Sequence, residues 1–210
     1  MKNSTINYYN LNAQKYFDST FDKQAISLLE NFCNDLPKNS TILDVGCGSG
    51  RDSLYFLQQG FKVIAIDASA DLAQLASQKI GQEVIVTKVQ DLNIQHKVDA
   101  VWAMASLLHI PKNEFPLAIE KCLNALKPNQ PSQFMCSLKL GEGQSYDENG
   151  RFFSYYQPDE LKDILTTTGC FENLTITVTG DSLGRDTQWI NALGTVNIQL
   201  KNILKKSKKP

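Results

Sequence analysis

The run Leu43-Asp44-Val45-Gly46-Cys47-Gly48-Ser49-Gly50-Arg51-Asp52 sets three glycines on alternate positions directly after an apolar stretch. Glycines so placed let the chain turn tightly and let a ligand lie against main-chain N–H groups. Three ligand classes use such loops, and spacing separates them. A phosphate-cradling loop needs Lys followed by Ser or Thr after its last glycine, where this chain has Arg51 and Asp52. The dinucleotide fingerprint needs Gly or Ala where the helix packs closely on the strand, and Arg51 is too large for that position. The pattern that remains is Asp-x-Gly-x-Gly-x-Gly. Asp67 ends the stretch Ile64-Ala65-Ile66-Asp67, where a carboxylate can accept from both hydroxyls of a ribose. Its alternative role, capping the following helix, is better served by Ser69. His109 titrates in the range that suits a general base, the alternative being a histidine that caps a helix or lines a wall. His96, in the polar stretch Asn93-Ile94-Gln95-His96-Lys97, reads as exposed. These are the only two histidines, and no cysteine or carboxylate completes metal-ligand spacing, so no metal is expected.

Such groups need a frame, and the apolar pattern describes one. Helical spacings join Tyr8, Tyr9, Ala13 and Tyr16, then Phe21, Ala25, Leu28, Leu29 and Phe32, until Pro37-Lys38-Asn39-Ser40 stops them. Strands are predicted at residues 41–45, 62–66, 84–89, 98–103 and 133–138. Helices are expected from the glycine loop to Gly60, over 70–80 and over about 114–126. This alternation predicts a doubly wound, Rossmann-like α/β fold with a mostly parallel sheet and helices on both faces. A helix over 158–168 precedes strands at 174–178 and 188–193. Only a turn-rich loop joins those two, so one of the sheet's seven strands should run antiparallel near its edge. The expected layout is one domain, 1–200, with a helical cap (1–36), a cofactor half (41–138), a substrate-side loop with the last strands (139–196) and a basic tail (201–210).

Lys and Arg number 21 against 22 Asp and Glu, so no general field attracts nucleic acid or an acidic membrane. The five cysteines are odd in number and form no close pair, which suits reduced thiols and a cytoplasmic location. Residues 1–7 are polar without an apolar signal core, and the most apolar run, 100–110, falls short of the roughly 20 residues a membrane span requires.

From Tyr8 to Leu193 the chain resembles the class I S-adenosylmethionine-dependent methyltransferases, in the manner of small bacterial members. The glycine loop matches that family's first motif, and Asp67 matches its ribose-binding acid. The resemblance implies S-adenosylmethionine as cofactor, with Asp44, Gly46, Cys47, Gly48, Gly50 and Asp52 around its methionine part. Cys47 holds a variable position of that loop and is read as filler, not as a nucleophile. Asp67 and Ala68 belong at the ribose. Asp91 accepts from the adenine amino group while Leu92 packs on the ring. The segment from Ala103 to Ile110 lies beside the methyl donor, and Tyr8 and Tyr16 belong to a helix that closes over it, the alternative being ordinary packing aromatics. The aromatic-rich stretch Gly141 to Tyr156 is expected to be a long substrate lid. Arg151 and Tyr155 are its candidate substrate contacts, Arg151 for an anionic group or else as one half of a surface salt bridge. The implied reaction moves a methyl group to an O, N or S nucleophile of a small molecule by in-line displacement. A nucleic-acid or protein methyltransferase, or a non-catalytic S-adenosylmethionine-binding protein, is the alternative. No Asn/Asp-Pro-Pro-Tyr/Phe motif or Pro-Cys pair of the DNA-modifying enzymes is present.

Overall fold

The structure, a computed structural model, describes residues 4–181 and 185–199. The predicted basic tail, 201–210, lies outside the described residues. Short runs rich in Val, Ile and Ala make strands here because each is covered on both faces. Leu43, Ala65 and Val101, for example, are at most 1% exposed.

Three helices come first: α1 (Ser4–Leu11), α2 (Ala13–Thr20) and α3 (Ile26–Cys33). Strands and helices then alternate as β1 (Thr41–Val45), α4 (Arg51–Gln58), β2 (Lys62–Asp67), α5 (Ala70–Ile80), β3 (Val84–Val86), β4 (Ala100–Ala103), α6 (Phe115–Ala125) and β5 (Ser132–Leu140). A hairpin of β6 (Gln144–Tyr146) and β7 (Phe152–Tyr156) follows, then α7 (Pro158–Thr167), β8 (Phe171–Gly180) and β9 (Gln188–Val196). The first five strands lie parallel in the order β3-β2-β1-β4-β5. Beyond them β9 runs antiparallel to β5, and β8 pairs with β9 at the edge. These seven strands match the expected sheet, including the one antiparallel member.

One apolar layer packs α3, α4 and α5 against Ile42, Ala65, Trp102 and Met135. The other packs α6 and α7 against Val101, Phe134, Cys136 and Leu138. Helix α5 begins where Ser69 Oγ accepts from the Leu72 N–H and ends at Gly81, left-handed at φ 73°. Three connections depart from the predicted boundaries. Residues 87–88 are not strand, and Val89–Asp91 forms a 3-10 turn. The fourth strand begins at Ala100, Val98 making only an isolated bridge to Leu126.

The third departure is the expected lid loop, which is a β-hairpin. The Asp147 N–H donates to the Arg151 carbonyl, the Gly150 N–H donates to the Asp147 carbonyl, and Gly150 sits at φ 74°. This is the three-residue hairpin connection closed by a left-handed glycine. Where β4 stops at Ala103, the longer β5 runs on, and β7 pairs with its end at Lys139 and Leu140. The hairpin therefore stands over the carboxyl ends of the parallel strands.

Candidate active site

Two cavities meet at those strand ends, of about 280 Å³ and about 180 Å³. They share one wall: Tyr9, Tyr16, Gly46, Gly48, Ala105 and His109 line both.

The larger cavity is built on the β1 and β2 ends. Gly46 (φ 70°) and Gly48 (φ 58°) turn the chain in the left-handed region, which costs a side-chain-bearing residue roughly 1–2 kcal/mol. A Cβ on Gly46 would lie 2.4 Å from Ser106 Cβ, so the loop closes this tightly only as glycine. Gly50 serves packing instead: a Cβ there would press on Ala76 and Ile80 of α5, and Gly50 lines neither cavity. Asp67, 9% exposed, accepts from the Gly48 N–H on Oδ2 (2.9 Å) and from the Ser69 N–H on Oδ1 (2.8 Å). Burial raises its pKa, and the N–H donors of Ser69, Gly48 and Ala68 pull it back. A carboxylate has about four acceptor sites, so lone pairs remain for the cavity that Asp67 and Ala68 wall. Ser106 Oγ, on the same wall, is buried without a hydrogen-bond partner.

The smaller cavity continues past the glycine loop. Asp44 accepts from Ser53 Oγ–H at 2.6 Å, and burial, then the charge of Asp52, pushes its pKa up to about 7. Arg51 is pinned by Asp52 at 2.7 Å and by the Lys23 carbonyl, and Trp102 Nε1 also donates to Asp52. Burial holds the Cys47 thiol well above its ordinary pKa, which leaves it protonated and a poor nucleophile.

Helix α1 forms the roof. None of its residues is fully buried, and side chains tie it down. Thr5 Oγ1 accepts from the Phe152 N–H, Ser69 Oγ–H donates to Asn10 Oδ1, and Tyr9 Oη lies 2.9 Å from His109 Nε2. His109 Nδ1 lies 2.6 Å from the Phe152 carbonyl oxygen, which can only accept. Nδ1 therefore carries the proton and Nε2 accepts from the Tyr9 hydroxyl. Burial, followed in effect by the raising pull of that carbonyl, leaves the His109 pKa lowered to about 4, so the ring is neutral near pH 7. Ala105, at φ 50°, bends the chain at the junction between the cavities.

The expected residues divide accordingly. Asp44, Gly46, Cys47, Gly48, Asp52, Asp67, Ala68, Tyr16, His109 and Arg151 all line a cavity. Asp91 is exposed and lines neither, because the 3-10 turn presents Gln90 there instead. Leu92 is buried in the α6 layer, and Ala103 lies in the sheet interior just short of the site. Tyr8 lines neither cavity, its ring lying under the Arg151 guanidinium at 4.8 Å, and Tyr9 takes the expected place. Tyr155 likewise lines neither, accepting a hydrogen bond from Ser145 Oγ–H. Arg151 lines the smaller cavity while paired with Asp147 at 2.7 Å, the salt bridge that was its alternative reading. Tyr9, Gln90, Ser106, Lys139 and Asn191 were not anticipated.

Residues 42–129 match the model of the methyltransferase-domain family. The chain is 38% identical over 100 residues to the ubiquinone biosynthesis O-methyltransferase of Xanthomonas axonopodis pv. citri, covering 44% of this chain and 41% of that protein. It is 35% identical over 99 residues to the tRNA (carboxymethyluridine(34)-5-O)-methyltransferase of Arabidopsis thaliana, covering 46% of this chain and 24% of that protein. The chain thus spans less than half the length of these relatives. Among solved structures, the 1,6-didemethyltoxoflavin-N1-methyltransferase of Burkholderia thailandensis, bound to 1,6-didemethyltoxoflavin and S-adenosylhomocysteine, superposes with a TM-score of 0.74 at 19% identity, covering 92% of this chain and 88% of that one. Magnesium protoporphyrin IX methyltransferase of Synechocystis PCC 6803, with bound S-adenosylmethionine, gives 0.64 at 18% identity, covering 91% and 96%. At these identities the structures establish a shared fold. Matched domain, glycine loop and fold agree: residues 42–129 are similar to a methyltransferase domain, set in the fold that these structures share.

Proposed function

We propose that the protein is an S-adenosylmethionine-dependent methyltransferase acting on an O, N or S nucleophile of a small molecule. The observation that carries this reading is the meeting of the Gly46–Gly48 backbone, the Asp67 carboxylate and the unpartnered Ser106 Oγ on one cavity wall. These groups fit the cofactor. Asp67 would hold the ribose hydroxyls. Gln90, whose Nε2 donates to Glu114 at 3.1 Å, keeps Oε1 to accept from the adenine amino group. When bound, S-adenosylmethionine supplies a sulfonium methyl group that a lone pair takes in line as the carbon–sulfur bond breaks, leaving S-adenosylhomocysteine.

The chain's own task is to bind, orient and exclude water, worth on the order of 7–11 kcal/mol when geometry is held well. Tyr9 and Tyr16, burying the junction from above, supply the exclusion. For a nucleophile that arrives protonated, its proton passes to the Tyr9 oxygen as Tyr9 releases its own to His109 Nε2. The Phe152 carbonyl keeps the Nδ1 proton in place throughout. His109 is thus the proposed base, acting through Tyr9. Asp52 and Arg51, paired with each other, are held as the polar end for the methionine part.

Calorimetric titration with S-adenosylhomocysteine, with NAD as control, tests the cofactor. Saturable binding of the first alone is expected, and absence of binding to folded protein would overturn the reading. Release of S-adenosylhomocysteine during an acceptor screen then separates an enzyme from a non-catalytic binder. Turnover confined to RNA or protein acceptors would replace the small-molecule assignment.

A further inference from the structure

Strand β5 changes character along one face. Phe134, Cys136 and Leu138 alternate into the α6 and α7 layer. On the opposite face Met135 packs with α3 and α4, but the next residues on that face are Ser137 and Lys139. Their register partners on β9 are Leu193 opposite Met135, Asn191 opposite Ser137 and Trp189 opposite Lys139. Lys139, Asn191 and Trp189 of this half of the face form a floor of the smaller cavity.

Two features of that floor ask for a ligand. Asn191 is 2% exposed, and its Nδ2 donates to Thr179 Oγ1 at 3.0 Å, yet its Oδ1 has no partner. A buried acceptor left unmade costs about 1–3 kcal/mol, so folding alone gives no reason to keep one at a cavity wall. Lys139 Nζ rests 3.8 Å from the centre of the Phe153 ring, and among the described residues no carboxylate pairs with it. The other cations on this cavity wall are satisfied: Arg51 by Asp52, Arg151 by Asp147, Arg185 by Asp181. Burial, then the charges of Arg151 and Arg185, lower the Lys139 pKa, against a raising pull from Asp147 and Asp181.

We propose that the smaller cavity selects a methyl acceptor bearing an anionic group, carboxylate or phosphate, seated on Lys139, with an O–H or N–H of the acceptor donated to Asn191 Oδ1. This rests on the methyltransferase reading and names the substrate class for it. The cavity adjoins the wall where Tyr9 and His109 meet, so an anion anchored at Lys139 leaves the rest of a small acceptor directed at the methyl-transfer position.

The test uses the full chain saturated with S-adenosylhomocysteine and titrated calorimetrically with para-hydroxybenzoate, phenyl phosphate and the uncharged para-hydroxybenzamide. At least one anion should bind tenfold or more tighter than the amide, and which one separates carboxylate from phosphate. Lys139→Met should bring anion affinity down to that of the amide while S-adenosylhomocysteine affinity stays within twofold, and Lys139→Arg should restore most of the loss. The proposal is overturned by equal affinity for amide and anions, by failure of both anions to bind the loaded protein, or by Lys139→Met weakening S-adenosylhomocysteine as much as the anions. The last outcome would assign the ammonium to the cofactor's own carboxylate. Should Lys139→Met not fold, the anion–amide pair on wild-type protein and the Lys139→Arg variant still decide. Failure of S-adenosylhomocysteine to bind wild-type protein would instead remove the methyltransferase reading beneath it.

Discussion

Removing the Asp67 carboxylate probes the cofactor assignment most directly. The Asp67 carboxylate already accepts main-chain N–H groups, among them Gly48 at 2.9 Å and Ser69 at 2.8 Å, and it lines the larger cavity. A hydrogen bond to a charged group contributes about 1.5–3 kcal/mol, so losing two from a ribose diol costs about 3 kcal/mol or more. Asp67→Ala should therefore bind S-adenosylhomocysteine roughly a hundredfold more weakly. The same change orphans the Gly48 and Ser69 N–H groups, which predicts a loss of a few degrees in Tm. A pH signature accompanies it. Because burial raises the Asp67 pKa, wild-type affinity should decline on acidification at a higher pH than an ordinary carboxylate would allow, and the variant should lack that limb. Calorimetry on wild type and Asp67→Ala, with circular dichroism as a check on the fold, measures all of this. A folded variant with affinity within threefold of wild type would refute the placement of ribose at Asp67.

The two loop glycines should differ: Gly48→Ala meets only the Tyr16 ring at 3.4 Å and costs about 1–2 kcal/mol of backbone strain, whereas Gly46→Ala adds a collision with Ser106. Thermal melts should show the larger drop for Gly46→Ala, and equal drops would count against the loop geometry. Asp44, with its pKa pushed up to about 7, costs stability that grows as pH rises from the unfolded carboxyl pKa of about 4 through that value, on the order of a few kcal/mol when complete. Asp44→Asn keeps the Ser53 hydrogen bond and loses the charge, so its Tm gain over wild type should be larger at mildly alkaline than at mildly acidic pH; a gain independent of pH would contradict the burial argument. His109→Ala should lower turnover about a hundredfold or more while cofactor affinity stays within threefold, and equal loss of both would remove the base assignment. With its pKa lowered to about 4, His109 should place the acid limb of kcat/KM near that value, and a limb at the ordinary histidine pKa of about 6.5 would contradict the neutral, Tyr9-bonded ring.

The donor side was legible in the sequence because its groups are local. Each strand end is an apolar run broken by glycine or an acid, and the larger cavity is walled by main chain and the residues immediately following, so Gly46, Gly48, Asp67 and Ala68 could be named from the motif and the resemblance it carries. Errors there are errors of phase. A 3-10 turn advances each side chain by about a third of a turn, which puts Gln90 rather than Asp91 at the wall. Helix α1 has no fully buried residue, so its pattern did not distinguish Tyr9 from Tyr8. The hairpin does carry a local signal: Asn149-Gly150 between Tyr146 and Phe152 is a turn dipeptide flanked by aromatic residues.

The acceptor side is different in kind. Lys139 and Asn191 lie 52 positions apart in the chain and become neighbours only through the antiparallel register of β5 and β9. Phe153 reaches Lys139 only because β7 pairs with β5 beyond the end of β4. A strand reading apolar, then Ser, then Lys along one face looks in sequence like a strand running out into solvent. Only the packed fold shows that α3 and α4 cover Met135 while Lys139 reaches the smaller cavity instead. In this chain the proposed donor site is built from consecutive residues and the proposed acceptor site from long-range pairings. A single sequence therefore names the chemistry before it names the molecule on which that chemistry acts.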